Sequence, residues 1–219
     1  QIENIMLLET QRGCPYHCAF CYYNKSHAGL VFADQSRVVE AVQWACDQGI
    51  GELFLLDPSL NVRPDLRDLL HKIHRINRGK RLAIFSEIRA EGIDAELADL
   101  FADAGFKGFE IGLQTTHPPA LKVMRRTTDI ERFLSGTRLL KANGISVAVD
   151  LIMGLPADTP SAFRKSVDFV AENDLDEDVQ LFPLTVLPGT EFRRRHKDLG
   201  LIFDPHPPYA IERSMIFSI

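Results

Sequence analysis

Short apolar runs alternate along the chain with segments in which apolar residues recur at the helical period. Six of these runs are rich in Val, Ile, Leu and Phe, as expected of strands that are covered on both faces of a sheet. The six predicted strands are Ile5–Glu9, Leu53–Leu56, Leu82–Phe85, Gly108–Gly112, Ser146–Ile152 and Val179–Leu184. Helical segments lie between them, so the pattern predicts repeated β-α units.

The ends of the helical segments carry start and stop signals. Asp94, Asp129 and Thr159 are placed to cap helices, and Pro64 suits the first turn of another. Glycines followed by an apolar residue predict three helix ends, each leading into a strand. These pairs are Gly49-Ile50, Gly105-Phe106 and Gly144-Ile145.

The fold class predicted from this pattern is α/β, with a parallel sheet in a partial (β/α)6 TIM-like barrel. A full eightfold barrel takes about 250 residues, whereas this chain has 219. The second-ranked prediction is a doubly wound open sheet. Pro205, Pro207 and Pro208 mark a boundary. We therefore expect a core domain at residues 1–204 and a C-terminal extension at 205–219 that begins a further region.

Composition narrows the class of protein. The hydrophobic content of 45% and net charge of −5 are ordinary for a soluble globular domain. The longest basic run is Arg193–His196, so nucleic acid is not indicated as a partner. No apolar stretch approaches the roughly 20 residues that span a bilayer, and no signal segment is visible. The cysteines do not resemble a disulfide framework, which predicts a cytoplasmic location.

Three of the four cysteines lie together, directly after the first predicted strand. Cys14, Cys18 and Cys21 have the spacing C-x3-C-x2-C. The C-terminal ends of parallel strands are where α/β proteins place their chemistry. Soft thiolates favour an iron–sulfur cluster or zinc, and both centres normally take four protein ligands when closed. The remaining Cys46 is interpreted as a small core residue of the first helix, which leaves one coordination position without an obvious protein ligand.

The cysteine loop, with Phe20 before its last cysteine and six β-α units around it, resembles the radical S-adenosylmethionine (SAM) enzymes. The resemblance implies a 4Fe–4S cluster on Cys14, Cys18 and Cys21, whose open iron binds SAM. It implies reductive cleavage of SAM to methionine and a 5′-deoxyadenosyl radical, which abstracts hydrogen from an unidentified substrate. It also implies an external electron donor of the flavodoxin or ferredoxin type. The alternative is an iron–sulfur electron-transfer domain or a structural zinc domain without SAM chemistry, its fourth ligand being Cys46 or a histidine.

Polar residues follow several other predicted strands. The segments "EIGLQTT", "LKVMRRTTD" and "VDLIMGLPADT" resemble a branch that includes the oxygen-independent coproporphyrinogen oxidases and many cobalamin-associated radical SAM proteins. Asp150 stands out from the residues alone, since a carboxylate in an apolar strand is costly unless it is hydrogen-bonded or paired. The resemblance implies a set of SAM-binding residues: Phe20, Ser59, Glu87, Gln114, Arg126 and Asp150.

One departure from that family concerns the SAM amino group. The family often has Gly-Gly-Glu after the second strand, and here that place is Leu56-Asp57-Pro58-Ser59. Asp57, Ser59 or a backbone carbonyl is the candidate replacement. The resemblance favours a methyltransferase or an oxidoreductase, and it allows cobalamin as a further cofactor on a domain outside this chain.

Overall fold

The computed structural model describes residues 4–23, 25, 29–175 and 177–214. The last residues of the predicted extension, 215–219, lie outside the described residues. The described strands are β1 (Ile5–Leu8), β2 (Gln11–Arg12), β3 (Val31–Phe32), β4 (Glu52–Leu55), β5 (Ala83–Glu87), β6 (Phe106–Gln114), β7 (Ser146–Met153), β8 (Val179–Pro183), β9 (Ile202–Phe203) and β10 (Ile211–Arg213). The α-helices are α1 (Gln35–Asp47), α2 (Leu66–Ile76), α3 (Ala95–Ala104), α4 (Pro118–Met124), α5 (Ile130–Ala142), α6 (Pro160–Glu172) and α7 (Glu191–Arg194).

The main sheet has six strands in the order β1-β4-β5-β6-β7-β8. Spatial order therefore follows chain order, with β1 and β8 as two open edges. A doubly wound sheet reverses its strand order at a switch point, and this sheet does not. The predicted parallel sheet of a partial, unclosed (β/α)6 barrel is confirmed. All six predicted strands are present, with ends shifted by at most two residues, and β6 (Phe106–Gln114) is two residues longer than predicted at each end.

The predicted helix caps and the predicted helix-stop glycine Gly105 are confirmed. Asp94 accepts a hydrogen bond from Leu97 N at 2.8 Å, and Thr159 Oγ1 accepts one from Ala162 N at 3.0 Å. Gly105 ends α3 at a φ of 99°, a left-handed conformation that a side chain would oppose. Pro64 differs from its prediction: it precedes α2, which begins at Leu66.

Two short antiparallel strand pairs were not predicted. β2 pairs with β3, and β9 pairs with β10, both antiparallel. Each strand has two or three residues, too few for alternation of polar and apolar positions to register in the sequence.

The chain divides into two units, described separately below. The first comprises residues 1–12, 30–111 and 129–147, and the second comprises 13–29, 112–128 and 148–219. In the first unit Phe101 packs edge-on against Phe106 and Phe109, both at 4.8 Å between ring centroids. In the second unit the core includes Ala19 of the cysteine loop together with Met124 and Phe192. Among the described residues, no helix has both the length and the apolar character needed to cross a membrane.

Candidate active site

The cysteine loop lies in the second unit. None of its three cysteines forms a disulfide; Cys18 is buried, while Cys14 and Cys21 are half-buried. Ala19, between them, donates its backbone N–H to Met124 O at 2.8 Å and accepts from Phe192 N at 3.1 Å. The loop is therefore attached at its centre to the end of α4 and the start of α7.

Arg126 reaches the same loop. Arg125 adopts a left-handed conformation, with a φ of 55°, and ends α4. The chain turns there, and Arg126 Nη2 donates to the carbonyl of Gly112 while Nη1 lies 4.0 Å from Cys18 Sγ. The guanidinium thus places positive charge beside one thiol and at the end of β6.

Gln114 ends β6 in a strained backbone conformation. Its φ is 70°, in the left-handed region that non-glycine residues rarely adopt. A Cβ at Gly112 would lie 2.1 Å from Gln114 Nε2 and 3.7 Å from Arg126 Nη2. The side chains of Gln114 and Arg126 therefore occupy space that a side chain at position 112 would fill.

A buried hydroxyl network holds the residues that follow Gln114. Thr115 Oγ1 and Ser166 Oγ lie 3.2 Å apart, and Thr116 N donates to Ser166 Oγ at 2.9 Å. Asp158 is fully buried beside this network and accepts from Thr159 N at 2.9 Å. Burial raises the pKa of the Asp158 carboxyl, although hydrogen bonds from Thr159 and Thr115 oppose the shift. The network fixes the turn after β6 against the start of α6.

Asp150 lies in β7 of the second unit. It is 7% exposed and stands opposite Gln180 of β8 in the parallel register. Alternation along a strand puts Asp150 on the opposite face from its neighbours Val149 and Leu151, which are fully buried. The apolar strand therefore presents a single carboxylate on the face that those neighbours do not occupy.

In the first unit, the Asp57 carboxylate is hydrogen-bonded to the segment that precedes the cysteine loop. Its carboxylate accepts from Thr10 N at 2.7 Å, from Gln11 N at 2.8 Å and from the Thr10 hydroxyl. Arg63 adds a bond from Nη1 to Thr10 O at 3.1 Å. Since these contacts occupy the carboxylate in a fully buried position, Asp57 acts as a structural clasp. Ser59 is fully buried as well, and its Oγ donates to Asn61 Oδ1 at 3.2 Å.

Glu87, also in the first unit, has a carboxylate neighbour. It pairs in register with Glu110 across β5 and β6. Burial, with smaller contributions from the negative charges of Glu110 and Asp57, raises the pKa of Glu87 from its usual 4.5 to about 7. Glu87 therefore changes charge near neutral pH.

Replacing Glu110 by Gln will lower the pKa of Glu87, because a repelling charge is removed. The native state holds the Glu87 proton more tightly than the unfolded chain does, so stability falls as pH rises from 4.5 to about 7. Glu110→Gln should recover part of that loss, with each pKa unit worth about 1.4 kcal/mol. Thermal unfolding should show a higher midpoint at pH 8 and no change at pH 4. Exposed Glu131→Gln is the matched control, and an identical pH dependence in all three proteins would exclude this coupling.

The structure distributes the predicted site residues over both units. The second unit brings together the cysteine loop, Gln114 and Arg126, and it also holds Asp150; Phe20 packs against its core. The first unit holds Ser59 and Glu87. Cys46, the candidate fourth ligand, lies in α1 of the first unit. Among the described residues, no three His, Cys, Asp or Glu side chains converge closely enough to hold a single metal ion.

Two of the residues described above were missed by the sequence reasoning. Glu110 precedes Gly112 and Gln114 at alternate positions of one strand, so strand alternation could have placed all three on one face. Asp158 gave no comparable signal, because its contact with Thr115 joins residues that are far apart in sequence.

Comparison with known proteins gives consistent similarities. A model of the radical SAM superfamily matches residues 8–170. The chain is 26% identical over 212 residues to 2-(S-pantetheinyl)-carbapenam-3-carboxylate methyltransferase of Streptantibioticus cattleyicolor, covering 89% of this chain and 30% of that protein.

Two solved structures share the fold. One is the radical SAM methyltransferase TsrM of Kitasatospora setae with tryptophan and a SAM analogue, at a TM-score of 0.82 and 22% identity, covering 97% of this chain and 43% of that one. The other is coproporphyrinogen III oxidase (HemN) of Escherichia coli, at a TM-score of 0.62 and 19% identity, covering 94% of this chain and 49% of that one. The chain spans less than half the length of each of these proteins.

Proposed function

The chain belongs to the radical SAM superfamily, and from that membership we propose that it is the catalytic core of an enzyme that cleaves SAM at a 4Fe–4S cluster. The predicted family is confirmed by the match over residues 8–170. Cys14, Cys18 and Cys21 are the proposed cluster ligands. The observation that carries the proposal is a loop of three cysteines, none in a disulfide, that is attached through Ala19 and has Arg126 beside Cys18.

The donor set fits the cluster. Thiolates are the usual protein ligands of iron–sulfur clusters. Three thiols on one loop would serve three irons of a 4Fe–4S cluster and would leave the fourth iron for SAM. The Arg126 guanidinium lowers the electrostatic cost of gathering negatively charged sulfur atoms.

The residues at the strand ends fit SAM. Arg126 and Gln114 supply hydrogen-bond donors within the space that Gly112 leaves open, which suits the methionine carboxylate and a ribose hydroxyl. Asp150 and Glu87 supply carboxylate acceptors, which suit the ribose hydroxyls. Ser59 is the proposed contact to the amino group after the second barrel strand, because Asp57 is occupied by Thr10 and Gln11. Phe20 is proposed to contact adenine through its backbone, in keeping with its side chain packing against the core.

Cys14, Cys18 and Cys21 would hold the cluster, which when reduced would supply the one electron needed to cleave SAM into methionine and a 5′-deoxyadenosyl radical, the species that would take hydrogen from substrate. The proposed role of the chain's own residues is to hold the cluster and SAM in place. Among the reactions that follow, methyl transfer is the one we propose, since the carbapenam relative and TsrM are both named methyltransferases. The proposal for methyl transfer includes a cobalamin domain outside this chain. The second candidate reaction is oxidation, as in the named activity of HemN.

Anaerobic reconstitution with iron and sulfide tests the core proposal. We expect about four irons per chain, an EPR signal in the reduced protein that changes when SAM is added, and 5′-deoxyadenosine when dithionite and SAM are present. A spectrum that SAM leaves unchanged, with no 5′-deoxyadenosine, would favour the electron-transfer alternative. A protein that binds zinc and no iron would favour the structural alternative.

A further inference from the structure

A cleft lies beside the paired strands β9 and β10 of the second unit. Its volume is about 550 Å³, within the range of roughly 300 to 1,000 Å³ that is usual for small-molecule sites. All of the residues that line it belong to the second unit, and none belongs to the proposed cluster or SAM site. The polar lining residues are His196, Lys197, Arg213 and Ser214, and the apolar ones are Leu201 and Ile202.

The cleft carries positive charge. Lys197 and Arg213 are exposed, and neither side chain forms a hydrogen bond or an ion pair with another described residue. Among the described residues, no Asp or Glu lines the cleft. The whole chain has a net charge of −5, so two unpaired cations in one concave place run against the overall balance. The cleft is therefore suited to an anion.

The backbone brings the two cations to the cleft from different segments. Lys197 lies in the turn after α7, which is closed by a hydrogen bond from Leu201 N to His196 O at 2.8 Å. Arg213 lies in β10, opposite Ile202 of β9 in the antiparallel register. Because Ile202 directly follows Leu201, these contacts hold the turn and β10 around one space. Ser214 is 2% exposed, so the cleft also has a buried polar wall.

His196 is held in place by two contacts of its ring. Its Nδ1 donates to Arg193 O at 2.8 Å, and the ring meets Phe203 edge-on at 5.6 Å between centroids. Since a carbonyl oxygen only accepts, Nδ1 carries the proton and Nε2 is the remaining polar atom of the ring. Nε2 accepts a hydrogen bond when the ring is neutral and donates one when it is charged. His196 can therefore bond to a ligand oxygen with or without a proton.

We infer that this cleft binds the phosphate group of a small organic molecule. A phosphate monoester carries a charge of about −1.5 to −2 at neutral pH and three acceptor oxygens, which match three donors on separate segments: Arg213, Lys197 and His196. A guanidinium forms paired hydrogen bonds with phosphate, and an ammonium binds it as a point charge. A carboxylate has one charge and two oxygens, so it would leave part of this set unused. Ile202, 43% exposed, offers apolar contact to the organic part.

The surroundings favour a small molecule over nucleic acid. Proteins that bind single strands stack bases on exposed aromatic side chains. The rings nearest the cations, Phe203 and Tyr209, are covered by the Arg193 guanidinium at 4.3 Å and 5.2 Å from their centroids. The described part of this region therefore offers charge without an open stacking platform.

Titration calorimetry at constant ionic strength tests the site, with phenyl phosphate and benzoate as probes that share a ring and differ in the anion. We expect saturable binding of phenyl phosphate at one site per chain, at least about 10-fold tighter than that of benzoate. Arg213→Ala and Lys197→Ala should each weaken phenyl phosphate binding about 10-fold, because each removes a charged contact. The charge-reversal variant Lys197→Glu/Arg213→Glu should abolish saturable binding. Thermal unfolding identifies any variant that fails to fold.

Arg164→Glu/Lys165→Glu is the matched control, since it reverses two exposed charges of α6 in the same unit. It should bind phenyl phosphate as the parent does, and an equal loss in this control would overturn the site. Equal affinity for benzoate and phenyl phosphate, or unchanged affinity in both single variants, would also overturn it. A short single-stranded RNA that displaces phenyl phosphate and binds more tightly would overturn it in favour of nucleic acid.

Discussion

Replacement of any one of Cys14, Cys18 or Cys21 by Ala will abolish cluster binding and SAM cleavage. Three thiolates are the complete protein contribution to the proposed cube, so the loss of one leaves two irons without a protein ligand. We expect iron to fall from about four per chain to near zero. Formation of 5′-deoxyadenosine with dithionite should fall by at least about 1,000-fold, equivalent to about 4 kcal/mol of lost barrier reduction. Iron and sulfide analysis, visible absorbance and chromatography of the nucleoside measure these effects.

Cys46→Ala is the matched control for this series. Cys46 lies in α1 of the first unit and is the only cysteine outside the loop, so the variant should keep its iron and its rate. Loss of the cluster in Cys46→Ala would identify a fourth cysteine ligand. That result would replace the open site by a closed, electron-carrying one.

Asp150→Ala should weaken SAM binding by about 10- to 100-fold while leaving the cluster in place, a loss of about 1.4 to 2.8 kcal/mol. The carboxylate is 7% exposed on β7, so its removal deletes a charged acceptor where water does not easily replace it. Titration of the cluster's EPR signal with SAM gives the affinity, and iron analysis confirms an intact cluster.

Two further variants sharpen the Asp150 result. Asp150→Asn keeps the shape and one acceptor oxygen, so its affinity should fall between that of the parent and that of Asp150→Ala. Asp168→Ala removes an exposed carboxylate from α6 in the same unit and should bind SAM as the parent does. Unchanged affinity in Asp150→Ala would exclude Asp150 from the SAM site.

Local signals in the sequence were sufficient to predict most of the helices and strands of the fold. Helix-stopping glycines such as Gly105, caps such as Asp94 and the apolar runs each act within a few residues, so single-sequence patterns report them. The sequential strand order also follows from β-α repetition. The strand ends were less well predicted, because β6 continues through Gly112 to Gln114, where function and backbone strain override propensity.

The site was predictable only in part, for a physical reason. Cys14, Cys18 and Cys21 form a local spacing that can be read directly. The hydrogen bonds of Asp57 reach Thr10 and Gln11, which lie 47 and 46 positions earlier in the sequence. The pairing of Glu87 with Glu110 depends on the register between two strands. Interactions of that kind appear only when the chain is folded, and no residue in them is unusual by itself.

The two backbone hydrogen bonds of Ala19 bear on the entropic cost of assembling the proposed cluster site. Fixing a residue's backbone costs about 1 to 2 kcal/mol of conformational entropy, and in most metal sites that cost falls on metal binding. Here Met124 and Phe192 hold the centre of the cysteine loop through bonds that involve no thiol. Folding of the polypeptide therefore carries part of that cost, and a smaller share falls on binding of the proposed cluster.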